Sequence, residues 1–196
     1  MLTVYIILLK NINHQYEKLD ILINNGGQFN LDFKISPIGY ESNFSVNHLG
    51  HFLLTNLLLE KLKNTKESRI IVVSSKVHDY IKNIDYNGLN VFDKKNMKFY
   101  CQSKFANLLF VNELARKLDG GNCKVVGLHP GVIRNNMLTY FYNNNGFLIK
   151  SIYYLGYPFI WLGTKSNFYG AQTTLTCCYT DFDKLQNGGY YQDNKI

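Results

Sequence analysis

The sequence predicts an α/β fold built around a parallel β-sheet. Short apolar segments that suit buried strands alternate along the chain with longer amphipathic segments that suit helices. Polar and glycine-containing segments follow the apolar ones, at the strand ends where parallel sheets build ligand sites. No internal repeat or low-complexity linker divides the 196 residues, so we expect a single domain over residues 1–196.

Composition agrees with a folded globular protein, because 46% of the residues are hydrophobic and 18% are charged. The net charge of +7 comes from scattered lysines rather than from a basic run, so we expect no nucleic-acid partner. The four cysteines lack the spacing of a metal site or of a disulfide framework. The opening run, MLTVYIILL, has no basic region before it and no cleavage site. We therefore expect no metal, no secretion, and a cytoplasmic or cytosol-facing location.

Four segments predict strands. Residues 20–24 (DILIN) and 69–75 (RIIVVSS) are apolar on both faces, as strands buried in a parallel sheet are. Residues 124–131 (KVVGLHPG) predict a third strand that runs into a proline-glycine turn. Residues 188–193 (GGYYQD) predict a last short strand.

Two amphipathic segments predict long helices. Residues 44–63 have apolar side chains at helical spacing, and lysines near the end suit the negative end of the helix dipole. Residues 99–118 repeat this spacing, and a glycine pair follows as a stop signal. The polar segment between them, residues 76–98, predicts a loop.

The segment 141–169 is apolar and aromatic, and Lys150, Gly156 and Pro158 interrupt it. It predicts either a lid over an apolar substrate pocket or a surface that faces a membrane, with Trp161 at the polar boundary. The residues alone leave both interpretations open.

A tyrosine and a lysine stand four positions apart at the head of the second long helix, Tyr100 and Lys104. Chance produces such pairs in a chain with 15 tyrosines, and Tyr191 with Lys195 is a second one next to the C-terminus. The spacing alone therefore says little about function.

The surroundings of the pair are more informative, because polar residues follow three of the predicted strands. These are residues 24–27 (NNGG) after the first, Ser74 and Ser75 at the end of the second, and Pro130 with Gly131 after the third. The carboxyl ends of parallel strands meet at one edge of a sheet. We therefore expect these residues to form one site.

Six segments follow one another along nearly the whole chain: LDILINNGG, FSVNHLGHFLLTNLLLEKL, RIIVVSS, YCQSKFANLLFVNELARKL, LHPGVIR and GAQTT. In this order and spacing they resemble the short-chain dehydrogenases/reductases, in particular the branch of the retinol dehydrogenases and the WW-domain oxidoreductase. The resemblance implies a Rossmann-like, doubly wound parallel sheet with helices on both faces. It also implies an NAD(P)-dependent oxidoreductase that interconverts an alcohol and a carbonyl.

The resemblance implies a catalytic set of Asn47, Ser75, Tyr100 and Lys104. Tyr100 would exchange a proton with the substrate oxygen, and the positive charge of Lys104 would lower the pKa of the phenol. Ser75 would donate a hydrogen bond to that oxygen as charge develops on it, and Asn47 would hold a water that relays the proton. The residues alone do not decide between Ser74 and Ser75; the spacing in the family selects Ser75.

The resemblance also implies a nicotinamide cofactor, NAD or NADP, with NADP slightly favoured. The residues expected at the dinucleotide are Asn24 and Gly26 on the floor of the cleft, Tyr100 and Lys104 beside it, and Pro130, Gly131 and Ile133 at the nicotinamide turn. The expected substrate is a lipophilic alcohol or carbonyl, such as a retinoid, a steroid or a fatty aldehyde.

The glycine-rich T-G-x-x-x-G-x-G turn that holds the pyrophosphate in this family does not occur in the sequence. We therefore expect an incomplete, N-terminally truncated Rossmann-like domain in which the strand at residues 20–24 is left as an edge. Two functions stay open: the oxidoreductase, and a catalytically impaired remnant that binds a partner. In the family the two long helices pack across a dimer interface, so a homodimer through residues 44–63 and 99–118 is expected. Peripheral association with the endoplasmic reticulum membrane is also expected.

Overall fold

The architecture is a four-stranded parallel sheet with helices packed on it. The computed structural model describes residues 11–12, 15–30, 32–91, 97–134, 151, 155–157 and 161–196. The strands are β1 (Ile21–Asn24), β2 (Ser68–Val73), β3 (Cys123–His129) and β4 (Tyr190–Gln192), in the spatial order β1-β2-β3-β4. Every neighbouring pair is parallel. The predicted α/β fold with a parallel sheet is therefore confirmed.

Burial explains why the strands differ in sequence pattern. All six residues of β2 are buried, and the last four, Ile70 to Val73, form the apolar run that such burial favours. β1 instead alternates between exposed and buried residues, and Ile21 and Ile23 are among the exposed ones. β1 is the outer strand of the described sheet, in agreement with the expected edge.

The helix predicted for residues 44–63 is interrupted. It begins as α1 (Ser42–Phe44), passes through a π-helical segment (Ser45–Leu49) and continues as α2 (Gly50–Asn64). The backbone N–H of Gly50 donates to the carbonyl of Ser45, the i to i+5 bond that defines a π-helix. Apolar periodicity does not reveal this extra residue, because the apolar face resumes after it.

The helix predicted for residues 99–118 is α3 (Met97–Lys117). Gly120 follows it with φ +70°, a conformation that favours glycine, so the predicted stop signal is present. The segment predicted as a loop contains two 3₁₀ turns, Lys76–Tyr80 and Tyr86–Gly88, before α3 begins.

A further helix, α4 (Asn167–Tyr179), was not predicted from the sequence. The Ser166 side chain caps its start by accepting a hydrogen bond from the N–H of Tyr169. Much of the predicted lid or membrane-facing segment, residues 141–169, lies outside the described residues. Within the described ranges, none of the helices combines the length and the apolar character that crossing a bilayer requires.

The two faces of the sheet carry separate cores. On one face Leu58 and Leu62 of α2 and Val111 of α3 pack against strand residues such as Ile70. On the other face Cys177 of α4 packs in a core with residues of β2, β3 and β4. Helices thus lie on both faces, as the doubly wound arrangement requires.

Arg69 joins β2 to the end of α4. This buried side chain donates from one guanidinium nitrogen to the carbonyls of Cys177, Cys178 and Thr180, at 2.7 to 3.0 Å. Its charge lies at the carbonyl end of the helix, where cations stabilise the helix dipole. Arg69 therefore holds α4 on the sheet.

Replacing Arg69 with methionine should lower the free energy of unfolding by about 2 kcal/mol, because three carbonyls at the end of α4, one of them of the buried Cys177, lose a charged donor. Urea denaturation of the variant and the parent measures this. The matched control is Arg116→Met, since Arg116 is an exposed arginine that pairs only with Glu113 on its own helix among the described residues. Equal midpoints for the two variants would contradict the assignment.

Candidate active site

A cleft of about 520 Å³ opens at the carboxyl edge of the sheet. Its lining comes from residues 25–29 after β1, residues 73–75 and 77 at the end of β2, and residues 130–133 after β3, together with Met97, Tyr100 and Lys104 of α3. The three polar segments that follow the predicted strands therefore meet in one place, as expected from parallel strands.

Tyr100 and Ser75 face each other in this cleft. The side chain of Ser75 lies close enough to the phenol of Tyr100 to lower its pKa, and the ring of Phe29 packs against the phenol edge-on with centroids 4.9 Å apart. Burial raises the pKa of Tyr100, and the interaction with Ser75 opposes this rise only in part. The expected lowering of this pKa by Lys104 stays a prediction.

The two adjacent serines have different environments. Ser74 is buried, and its hydroxyl donates to the backbone carbonyl of Lys104 at 2.7 Å. Ser75 is half-buried, lines the cleft and contacts Tyr100. The geometry therefore favours Ser75 as the serine available to a substrate, and Ser74 ties β2 to α3.

Lys104 lies one helical turn beyond Tyr100 on α3, with its ammonium 5.8 Å from the centroid of the phenol ring. The side chain is buried, and its Nζ donates to the carbonyl of Val73 at 3.1 Å. Burial lowers the pKa of Lys104 to about 8. A Cβ added at Gly27 would lie 3.8 Å from this Nζ and 3.1 Å from Asn47 Oδ1, so glycine keeps the approach to the lysine open.

The lowered pKa of Lys104 predicts a pH dependence of stability. Between about pH 8 and pH 10.5 the unfolded chain binds more protons at this site than the folded chain, so folding becomes more favourable as the pH rises. Below pH 8 the folded state carries the full penalty of a buried ammonium.

Lys104→Met removes this titration. From pH 7 to pH 10.5 the unfolding free energy of the parent should therefore rise relative to that of the variant, by on the order of 3 kcal/mol. Urea denaturation of both proteins over that range gives the difference. Parallel pH profiles would show that Lys104 titrates normally in the folded state.

Asn47 lies in the π-helical segment and is fully buried. Its Oδ1 accepts from the N–H of Gln28 at 2.8 Å, and its Nδ2 donates to the carbonyl of Gln28 at 2.9 Å and to Ser103 Oγ at 3.3 Å. The side chain thus fastens the loop after β1 to α3. The predicted water at Asn47 stays a prediction.

The residues predicted for the dinucleotide divide into two groups. Gly26, Pro130, Gly131 and Ile133 line the cleft together with Tyr100 and Lys104. The structure does not bring Asn24 to the lining: the side chain is buried and donates to Thr55 Oγ1 at 2.8 Å. The pleat of β1 turns Asn24 toward the helices, and the lining begins with Asn25 instead.

Sequence reasoning missed several lining residues, because each stands next to a predicted motif without a distinctive side chain. They are Gln28 and Phe29 after the glycines, Val77 after the serines, and Met97 at the start of α3. His129 lies just before the turn at Pro130, and its Nδ1 accepts from the N–H of Gly131 at 2.9 Å. This bond supports the turn in which Gly131 has φ +87°.

The residues present fit the nicotinamide end of a dinucleotide. Gly26 and Gly27 leave the floor of the cleft free of side chains, and the ammonium of Lys104 lies beside that floor. Lys104 has three donors, of which one bonds Val73. Among the described residues, no group of three or more histidine, cysteine, aspartate or glutamate side chains could hold a metal ion.

Relatives of known family match nearly all of the chain. The family model for short chain dehydrogenase matches residues 5–146. Retinol dehydrogenase 14 from Homo sapiens is 42% identical over 179 residues, which are 91% of this chain and 52% of that protein. Retinol dehydrogenase 12 from Homo sapiens is 37% identical over 180 residues, 91% of this chain and 54% of that protein. The chain thus spans about half the length of the curated relatives it matches.

Solved structures agree on the fold. A short chain dehydrogenase from Salmonella enterica serovar Typhi superposes with a TM-score of 0.67 at 18% identity, covering 98% of this chain and 70% of that one. A short chain dehydrogenase from Escherichia coli CFT073, solved in complex with NADPH, gives a TM-score of 0.63 at 19% identity, with coverages of 95% and 67%. With the parallel sheet, the helices on both faces and the matched family model, the chain belongs to the short-chain dehydrogenase family, in its retinol dehydrogenase-like branch.

Proposed function

We propose that the protein is an NAD(P)-dependent oxidoreductase that interconverts a lipophilic alcohol and its carbonyl. The observation that carries the proposal is that Ser75 and Tyr100 line one cleft together with the buried ammonium of Lys104. A hydroxyl donor, a phenol and a cation at one point are what proton exchange with a carbonyl oxygen requires. The similarity to retinol dehydrogenases supports the same chemistry.

Each residue of this cluster has one task. Tyr100 gives its proton to the carbonyl oxygen in reduction and takes it back in oxidation. Ser75 donates a hydrogen bond to the same oxygen. Lys104 favours the phenolate whenever Tyr100 has released its proton. The bound nicotinamide supplies or accepts the hydride.

The residues that would hold the cofactor are those of the cleft floor and of the turn after β3. Gly26 and Gly27 have no side chains, so the sugar of the cofactor could approach the protein backbone closely there. Lys104 has donors left for the ribose hydroxyls. Pro130, Gly131 and Ile133 would flank the nicotinamide. We favour NADP slightly over NAD, on the family resemblance alone.

The proposed substrate is lipophilic because apolar side chains line the cleft that also holds Tyr100. Phe29, Val77, Met97 and Val132 all line it. A retinoid, a steroid or a fatty aldehyde presents one polar oxygen on an apolar body, which suits a single polar cluster in such a wall. The alternative that segment 141–169 forms a lid over this pocket stays a prediction, since most of the segment lies outside the described residues.

We also propose a homodimer through the long helices. A groove of about 390 Å³ lies between the start of α2 and the middle of α3, and its lining includes Phe44, Phe52, Leu109 and Phe110. Phe52 and Leu109 are each more than 40% exposed, and exposed aromatic patches of this kind mark interfaces. The same surface would serve the second candidate function, a partner-binding remnant with impaired catalysis.

Peripheral membrane association is proposed on a different surface. Trp161, Leu162, Phe168 and Tyr169 are all more than half exposed. Aromatic and aliphatic side chains of this kind insert at the membrane–water interface. A lipophilic substrate would reach the cleft from that side, on the cytosolic face of the endoplasmic reticulum membrane.

Cofactor-dependent turnover tests the proposal. NADPH oxidation is followed with all-trans-retinal and with a long-chain aldehyde, and NADH oxidation in parallel. We expect turnover that stops when Lys104 is replaced by methionine. Absence of turnover with both cofactors and both substrates, in a protein that binds itself through α2 and α3, would favour the partner-binding alternative.

A further inference from the structure

Asn107 is a fully buried residue of α3 that lies outside the catalytic set and outside the lining of the cleft. Its Nδ2 donates to the backbone carbonyl of Asn47 at 3.0 Å and lies 3.5 Å from the carbonyl of Val73. Its Oδ1 is 2.9 Å from Nδ1 of His48. The carboxamide therefore contacts the π-helical segment at two points and the end of β2 at one.

These contacts fix the orientation of the amide and the position of a proton. Both backbone carbonyls can only accept, so the nitrogen of the amide must face them. The oxygen then faces His48, and the hydrogen bond between them requires a proton on His48 Nδ1. Burial lowers the pKa of His48, so the imidazole is neutral with its proton on Nδ1.

Val73 connects this network to the candidate active site. Its carbonyl accepts from Lys104 Nζ at 3.1 Å and lies within reach of Asn107 Nδ2. Asn47, whose carbonyl is the other acceptor of Asn107, fastens the loop that contains Gln28. The amide of Asn107 thus contacts both Val73, which binds the ammonium of Lys104, and Asn47, which binds the cleft floor at Gln28.

We propose that Asn107 is a positioning residue: it locks the π-helical segment and the end of β2 onto α3 and thereby sets the place of Lys104 beside Tyr100. The consequence for catalysis rests on the proposed oxidoreductase function. The geometric part does not, because it concerns only Asn107, His48 and the two carbonyls.

A purely space-filling role makes a different prediction. A buried amide with three satisfied contacts is costly to remove whatever its function, so loss of stability alone would not distinguish the two. The titration midpoint of Lys104 distinguishes the two roles, because only a residue that shares the Val73 carbonyl with Lys104 is expected to change it.

The first measurement needs no variant. Nitrogen-15 NMR of histidine-labelled protein reports which ring nitrogen of His48 carries the proton, and His48→Phe identifies its signals. We expect the proton on Nδ1. A proton on Nε2 at neutral pH would overturn the assignment of the network.

The second measurement compares Asn107→Ala with Asn112→Ala, since Asn112 is an exposed asparagine on the same helix. Carbon-13 NMR of the lysine Cε follows the titration of Lys104, which Lys104→Arg assigns. Removing the Asn107 amide leaves the carbonyl of Val73 to the ammonium of Lys104 alone among the described side-chain donors, and the stronger hydrogen bond should raise the midpoint by about one unit. Asn112→Ala should leave it unchanged.

The ionisable groups near Lys104 need to be followed with it. Tyr100 is on the same helix, and His51 interacts with Lys104 from α2, with His48 next to His51. The pKa of His51 is lowered to about 4, so it stays neutral in this range. Histidine signals that do not move between pH 7 and pH 10 exclude these rings as the source of the shift.

Turnover supplies the catalytic readout. With Asn107→Ala we expect kcat to fall about tenfold or more and the KM for NADPH to change less than about threefold, because misplacing Lys104 disturbs the chemistry more than the binding.

A Lys104 midpoint and a kcat equal to those of Asn112→Ala would overturn the proposal. If Asn107→Ala does not fold, His48→Phe takes its place with a smaller shift in the same direction, and no shift overturns it. A shifted midpoint in a protein without any turnover would instead reject the oxidoreductase function and keep the network.

Discussion

Replacing Tyr100 with phenylalanine is expected to lower turnover more than about 100-fold, the usual scale of a general acid–base contribution. Phenylalanine keeps the ring that packs on Phe29 and removes only the hydroxyl that contacts Ser75. Stability should therefore change little, and the loss should appear in kcat with the KM for the cofactor nearly unchanged. Steady-state oxidation of NADPH with a lipophilic aldehyde measures it.

The control for Tyr100→Phe is Tyr179→Phe, because Tyr179 ends α4 and is 82% exposed. That variant should turn over like the parent. Retained activity in Tyr100→Phe would reject Tyr100 as the acid–base group, and equal losses in both variants would show that the loss comes from the substitution of tyrosine in general.

Ser75→Ala and Ser74→Ala should separate the two adjacent serines. Ser75→Ala removes a donor to the substrate oxygen and should lower kcat about 100- to 1000-fold, with normal stability. Ser74→Ala leaves the carbonyl of Lys104 without its buried donor and should lower the free energy of unfolding by about 1 kcal/mol. Its kcat should fall far less.

Both serine variants are measured by the same two experiments, urea denaturation and steady-state kinetics. The alanine substitutions are chemically identical and one residue apart, so each is the control for the other. The reverse pattern, with turnover lost at Ser74 and stability lost at Ser75, would contradict the geometry of the cleft.

Much of the fold was predictable because burial leaves a direct pattern in the sequence. β2 is buried at every position and apolar from Ile70 to Val73, and α3 carries apolar side chains at helical spacing up to its glycine stop. These features depend on local composition, which a single sequence displays.

The π-helical segment and α4 were not predictable in the same way. A π-helical turn inserts one residue without breaking the apolar face, so Ser45–Leu49 reads as ordinary helix. α4 contains aromatic and β-branched residues such as Phe168 and Thr173, whose helix propensity is weak, and tertiary packing decides its state. Its anchor, Arg69, lies about a hundred residues earlier in the chain.

The candidate site was predictable from position along the strands and from resemblance, and less so from chemistry. Ser75, Tyr100 and Lys104 meet in one cleft, and their catalytic roles stay predictions. Asn24 was misplaced because the strand pleat decides which of two adjacent asparagines faces the cleft. The burial that raises the pKa of Tyr100 was not predictable, because sequence spacing does not report desolvation.

A crystal structure of the protein with NADP⁺ bound is the most direct measurement of the central claim. We predict that Lys104 Nζ lies within hydrogen-bond distance of the nicotinamide ribose and that the Tyr100 hydroxyl lies within hydrogen-bond distance of Ser75, with the nicotinamide beside Pro130 and Gly131. A dinucleotide bound elsewhere, or a Tyr100 hydroxyl turned away from Ser75 and from the nicotinamide, would contradict it.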